Sequence, residues 1–160
     1  MAFDPLFNYE TVNLQEPENL ACYRFAEIIK GLITLSSVAE RQQEIIGIGE
    51  AAAEMAEDFN GHLHLGIPLF TEYQLADTVA LEKLQQLADD MYTYGPSDTF
   101  WHSESLYTHP GWERVRAEAK SILTGMGYAH LTLLITREEF YKEMAGKQYL
   151  TGQRTGLRLQ

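Results

Sequence analysis

Two stretches of the chain alternate histidine with leucine: His62-Leu63-His64-Leu65 and, much later, His130-Leu131-Thr132-Leu133. In an extended strand, alternate side chains share a face. His62 would then stand beside His64, and His130 beside Thr132, with the leucines turned to a core. Two such strands bordering one cleft could place one imidazole to take a proton and the other to give one. Thr132 would hydrogen-bond a phosphate oxygen. The simpler expectation is that each histidine is structural, held by a carbonyl or by solvent. A metal role draws on His62 and His64 with Glu54, Glu57 and Asp58 nearby, but there is no Glu-x-x-His pair and no HExxH, so no metal site is assigned.

The repeated pattern resembles the two-histidine phosphoesterase superfamily, whose members carry His-apolar-Thr/Ser-apolar twice in an internally duplicated fold. His130-Leu131-Thr132-Leu133 fits that motif as it stands, whereas His64 replaces the hydroxyl residue of the first copy. The resemblance implies a phosphodiesterase with His62 and His130 as its acid/base pair and Thr132 beside them. The two consecutive long helices expected ahead of the first motif depart from that family, which has strands there. Other routes to catalysis are thinner. Cys22 lies on the apolar face of an expected helix, where it behaves as a small hydrophobe. Neither GIGEAAAE around Gly47 nor GMGYAH at Gly125 matches a phosphate-binding loop, and no cofactor is expected.

Charge points elsewhere. The formal net charge is −11, unevenly spread: residues 1–104 hold 18 acidic and 4 basic residues, residues 105–160 hold 5 and 8, and only Lys83 is basic between Gln42 and Glu113. Such a field repels nucleic acid and anionic membranes and favours encounter with a basic protein. The expected contact face is the helix carrying Glu50, Glu54, Glu57 and Asp58, with Asp89 and Asp90 as a second cluster. Trp101 lies in the aromatic stretch TFWHSESLYTHPGW and is a candidate contact residue, while the register of Trp112 assigns it to the core. Carboxylates presented where a target expects phosphates would let such a protein engage, and by the same contact inhibit, a nuclease or nucleic-acid-binding protein. Direct nucleic-acid binding is not expected, and a homo-oligomer is compatible with the sequence.

The elements that must position these residues follow from periodicity. At 160 residues the chain suits one domain. Residues 1–17 read as an extended arm whose Phe3, Leu6, Phe7 and Tyr9 lie along the body. Pro17 opens a helix to about Leu35. A second helix is expected from Ser36-Ser37 to Phe59, with Ile45, Ile48, Ala52, Met55 and Phe59 inward and Gly47 and Gly49 offset by close packing. HLHLGIPLF, bounded by Gly and Pro, reads as a strand. Thr71-Glu72-Tyr73-Gln74 reads as a capping box for a third helix to about Tyr92. Pro110 opens a fourth helix with Trp112, Val115, Ala119, Ile122 and Met126 on one stripe. AHLTLLI reads as a second strand, and Thr136 to Ala145 as a capped short helix. Residues 146–160 read as a basic, partly mobile tail.

The expected fold is therefore mainly α: one globular domain over 18–145, about five helices and a small two-stranded β element. The alternative is an α+β fold built from a duplicated helix-strand unit. No apolar run is long enough to cross a bilayer. The N-terminus lacks a secretory pattern, and one cysteine permits no internal disulfide, so a cytoplasmic location is expected.

Overall fold

The computed structural model describes residues 2–160. Its helices are α1 (Pro17–Ser36), α2 (Ala39–Ile46), α3 (Ala51–Glu72), α4 (Thr78–Met91), α5 (Ser105–Thr108) and α6 (Pro110–Met126). A C-terminal antiparallel hairpin follows, β1 (Leu133–Met144) with β2 (Lys147–Leu159). The protein is thus a mainly helical single domain with a two-stranded β element, as expected. No described helix is long and apolar enough to cross a membrane.

α1 is the central helix, packed against α3 and α6. Its Phe25, Ile28, Ile29, Leu32 and Leu35 are fully buried, and each contributes about 1.5–3 kcal/mol through removal of apolar surface from water. The arm meets this core through Phe3, whose ring stands edge-on to Phe25 at 5.0 Å. On α6, Trp112 is fully buried, stacks on Phe100 at 4.4 Å, and donates from Nε1 to Phe100 O (2.9 Å) and Ser105 Oγ (3.1 Å). A buried polar network closes the α1–α2 corner. Gln42 Nε2 donates to Thr34 O and Leu35 O, and Gln42 Oε1 accepts from Arg116 Nη2 at 3.1 Å.

Several local expectations are corrected. The helix expected from Ser36-Ser37 to Phe59 is two helices, because Gly47 (φ 78°) and Gly49 (φ 129°) take conformations that side chains disfavour. Ile48 in that break is exposed. Ser36 and Ser37 do not cap the next helix; both hydroxyls donate back to Ile33 O and close α1.

The strand expected at HLHLGIPLF is instead the second half of α3. Phe59, Leu63, Gly66 and Phe70 complete one buried stripe at helical spacing. A Cβ on Gly66 would lie 2.3 Å from Phe70 Cζ, so glycine there lets the Phe70 ring fold back over its own helix. Pro68 lies within the last turns of α3, where its missing N–H removes only one bond of the ladder. Thr71–Gln74 accordingly ends α3 and does not cap the next helix. Asp77 caps α4, accepting from Ala80 N at 2.8 Å.

The helix expected at Thr136–Ala145 is part of β1, and residues 146–160, expected as a mobile tail, turn back to form β2. Alternation decides this: Leu133 and Ile135 on β1 pair with Leu159 and Leu157 on β2 and join the core, while their neighbours Leu134 and Thr136 stay exposed. The strand expected at AHLTLLI is present from Leu133, but it pairs with the C-terminal segment. With no strand at His62, the duplicated helix-strand alternative has no first unit.

Candidate functional site

α3 carries most of the candidate residues. Its spacing puts Glu54, Glu57 and Asp58 on successive turns of one side. Glu50 sits at the helix start, where its carboxylate accepts from Ser103 N (3.3 Å) and Ser103 Oγ (3.0 Å), and Ser103 Oγ in turn accepts from Ala51 N (3.0 Å). A negative charge is favourable beside the unpaired N–H groups of a helix N-terminus. Glu50 therefore ties α3 to the segment that carries Trp101.

Further along, partial burial pushes the Glu54 carboxyl up, and the charges of Asp58, Glu57 and Glu50 push it further. Asp58 is exposed by area, yet crowding around its carboxyl raises it too, with His62 opposing. Among the described residues, no Lys or Arg forms an ion pair with Glu50, Glu54, Glu57 or Asp58. The α3 carboxylates thus repel one another with no Lys or Arg ion pair to offset it among the described residues.

The side of this face bearing Ala53 and Glu57 borders an open cleft of about 460 Å³, lined also by Tyr92, Tyr94, Pro96 and Trp101. Asp98 nucleates the turn Thr99–Trp101 by accepting from Phe100 N at 2.8 Å. Phe100 is driven into the core between Tyr94 and Trp112, stacked on both. Its neighbour Trp101 is left half-buried at the surface. The indole Nε1–H is occupied by Tyr94 O (3.3 Å) and Gly95 O (3.1 Å). Tyr92, 45% exposed, meets the indole at 5.4 Å between centroids and 43° between planes.

The second acidic cluster is differently built. Asp89 accepts from Gln85 Nε2 and Asp90 from Gln86 Nε2, each within α4. Asp90 also faces Glu118 of α6. Burial, then hydrogen bonding to Asp90 and repulsion by it, pushes the Glu118 carboxyl up to about 7. This pair lines a separate cleft of about 260 Å³ with Tyr94 and Arg114.

The histidines fall in different surroundings. His62 is half-buried on α3, lining a cleft of about 170 Å³ with Glu27, Lys30, Thr34, Met55 and Asp58. Burial lowers its pKa. His64, two residues on, is exposed, because a helix turns i and i+2 to different sides. His130 and Thr132 lie exposed between α6 and β1, and Thr132 exchanges backbone hydrogen bonds with Gln160. Neither belongs to the cleft that His62 lines. The premise that two strands present His62 and His130 to one cleft is overturned, since His62 is helical.

The structure thus joins Glu57 and Trp101 in one cleft and leaves His62 apart from His130 and Thr132. Tyr92, Arg24, Glu27, Lys30 and Glu118 were not singled out from the sequence. Arg24, Glu27 and Lys30 follow one another at i, i+3 and i+6 along α1, a charged line that the spacing already held. Glu118 meets Asp90 only through the packing of α6 on α4. Compared with known proteins, the chain matches no family model, no curated protein and no solved structure.

Proposed function

We propose that this is a small acidic binding protein that engages a basic protein partner, such as a nuclease or nucleic-acid-binding protein, through the carboxylate face of α3. The observation that carries this reading is the set Glu54, Glu57 and Asp58: adjacent, mutually repelling and without a Lys or Arg ion pair among the described residues. A cationic surface relieves that repulsion on binding, and a field of this sign accelerates its approach. Inhibition follows where the carboxylates occupy positions that the partner keeps for phosphates. A cytoplasmic setting fits the single cysteine, which is buried on α1.

The test compares two triple variants of equal net charge for binding to a small basic ribonuclease, followed by calorimetry across a salt series. Glu54→Lys/Glu57→Lys/Asp58→Lys reverses the α3 face, and Glu138→Lys/Glu139→Lys/Glu143→Lys reverses the hairpin. Binding that weakens with salt and is lost only in the α3 variant supports the reading. Equal loss in both variants, or none in either, refutes it. His130→Ala is expected to leave binding unchanged.

A further inference from the structure

The cleft beside Glu57 has the chemistry of a receptor for one particular side chain. Trp101 spends its only donor on backbone carbonyls, and Phe100 meets it edge-on at 4.9 Å, which fixes the indole where it lines the cleft. Tyr92 is inclined to it at 43° and is not stacked on it, so the two rings form an open pair and do not cover each other. On the α3 wall stands Glu57, exposed and with no hydrogen bond or ion pair to any described residue. Burial pushes the Tyr92 phenol up, and the Glu57 charge adds to it. No Lys or Arg lines the cleft. Arg114, near its rim, is held by the Tyr94 hydroxyl at 2.7 Å and lines the neighbouring cleft.

The geometry points to an arginine side chain of the basic partner as the occupant, its guanidinium lying against Trp101 and Tyr92 and its N–H groups on the Glu57 carboxylate. This rests on reading the α3 face as the partner surface and names what its aromatic edge recognises. Arginine suits the site better than lysine for two reasons. A planar, weakly hydrated cation stacks on an open ring face and offers paired N–H donors to a single carboxylate. A compact, strongly hydrated ammonium gains less from rings that do not enclose it.

The experiment titrates the protein at low salt with tetra-arginine and tetra-lysine peptides of equal charge, reading the two tryptophan indole N–H resonances. Trp112, fully buried, serves as the internal reference. Tetra-arginine is expected to shift the Trp101 resonance, leave that of Trp112 in place, and bind about tenfold more tightly than tetra-lysine. Glu57→Gln and Tyr92→Ala should each abolish that preference, whereas Glu54→Gln should weaken both peptides alike. Tyr92 is 45% exposed and lies outside the core cluster, so its removal tests the cleft without emptying the core. Equal affinity for the two peptides overturns the assignment, as does a preference that survives Tyr92→Ala or leaves the Trp101 resonance unmoved. Failure of both peptides to bind is a different result, because it removes the acidic-face reading itself.

Discussion

Arg24 Nη1 lies 3.2 Å from Nδ1 of His62 and joins α1 to the middle of α3. Arginine only donates, so Nδ1 accepts and the imidazole is neutral, with its proton on Nε2. Glu27 and Asp58 favour the charged ring, while Arg24 and Lys30 oppose it, and burial decides the outcome by lowering the pKa below 6.5. His62 is therefore a helix-packing residue whose protonation would turn an acceptor toward a fixed cation into a second cation.

That relationship sets a pH dependence. Just below pH 6.5 the unfolded chain binds a proton at His62 that the folded protein does not. The contribution of His62 to stability is thus present above pH 6.5 and is lost as pH falls below it. His62→Gln should remove this rise in stability with pH and cost about 1 kcal/mol at pH 7.5. Urea unfolding of both proteins between pH 5 and 7.5 measures it, and an unchanged slope in the variant would refute the assignment.

Glu118 acts in the opposite sense. Its carboxyl titrates at about 7 when folded, against an ordinary 4.5, so the folded protein holds a proton that the unfolded chain has released. Its stabilisation is complete below pH 4.5 and disappears as pH rises through 7. Glu118→Gln should exceed the natural protein in stability at pH 8, by about 1 kcal/mol after allowance for solvent screening, and match it at pH 4. The two groups partly cancel between pH 4.5 and 6.5, so the natural protein should show a shallower profile than either variant.

Besides the packing of Leu133 and Leu159 in the core, Arg137 makes polar links from the hairpin to the helices. Its Nη2 donates to Glu44 O and to Ile45 O (3.2 Å) in the last turn of α2, and Nε donates to Thr155 Oγ1 (3.3 Å) on the partner strand. Ile48 N donates to Gln153 Oε1 nearby, and Arg41 Nη2 to Leu133 O. Arg137→Ala strands two carbonyls and should cost about 1–2 kcal/mol. In hydrogen exchange, amides of β1 and β2 should lose protection while those of α1 and α3 keep it. Uniform loss across the molecule would show that the hairpin and helices open as one unit.

Much of the fold was legible because its signals are local. Pro17 and Pro110 open helices where a proline costs nothing, and the stripe Trp112, Val115, Ala119, Ile122 reads as the buried face that it is. At His62 two local signals disagreed. Gly61, Gly66 and Pro68 suggest a short bounded strand, while Phe59, Leu63, Gly66 and Phe70 keep a helical period. The period prevails because α3 has already run through the Ala51–Phe59 stretch, so extending it costs less than starting a strand that has no partner. At Thr136 the capping-box pattern is sound helix-start chemistry, yet the leucines and isoleucine at alternating positions around it find their pairs in the C-terminal segment. Pairing across the Ala145-Gly146 turn is set by contacts a window along one strand does not contain.

By itself the sequence determined the helical character of the chain, the acidic bias of its first two thirds and the shared side of Glu54, Glu57 and Asp58, because composition and a helical repeat act over a few neighbouring residues. Only the tertiary structure decided that Glu57 borders Trp101 and Tyr92, that Glu118 faces Asp90, and that His62 keeps company with Arg24 and not with His130. Each of these meetings joins residues from different elements, and burial of the α1, α3 and α6 faces in a common core selects which surfaces are left to meet.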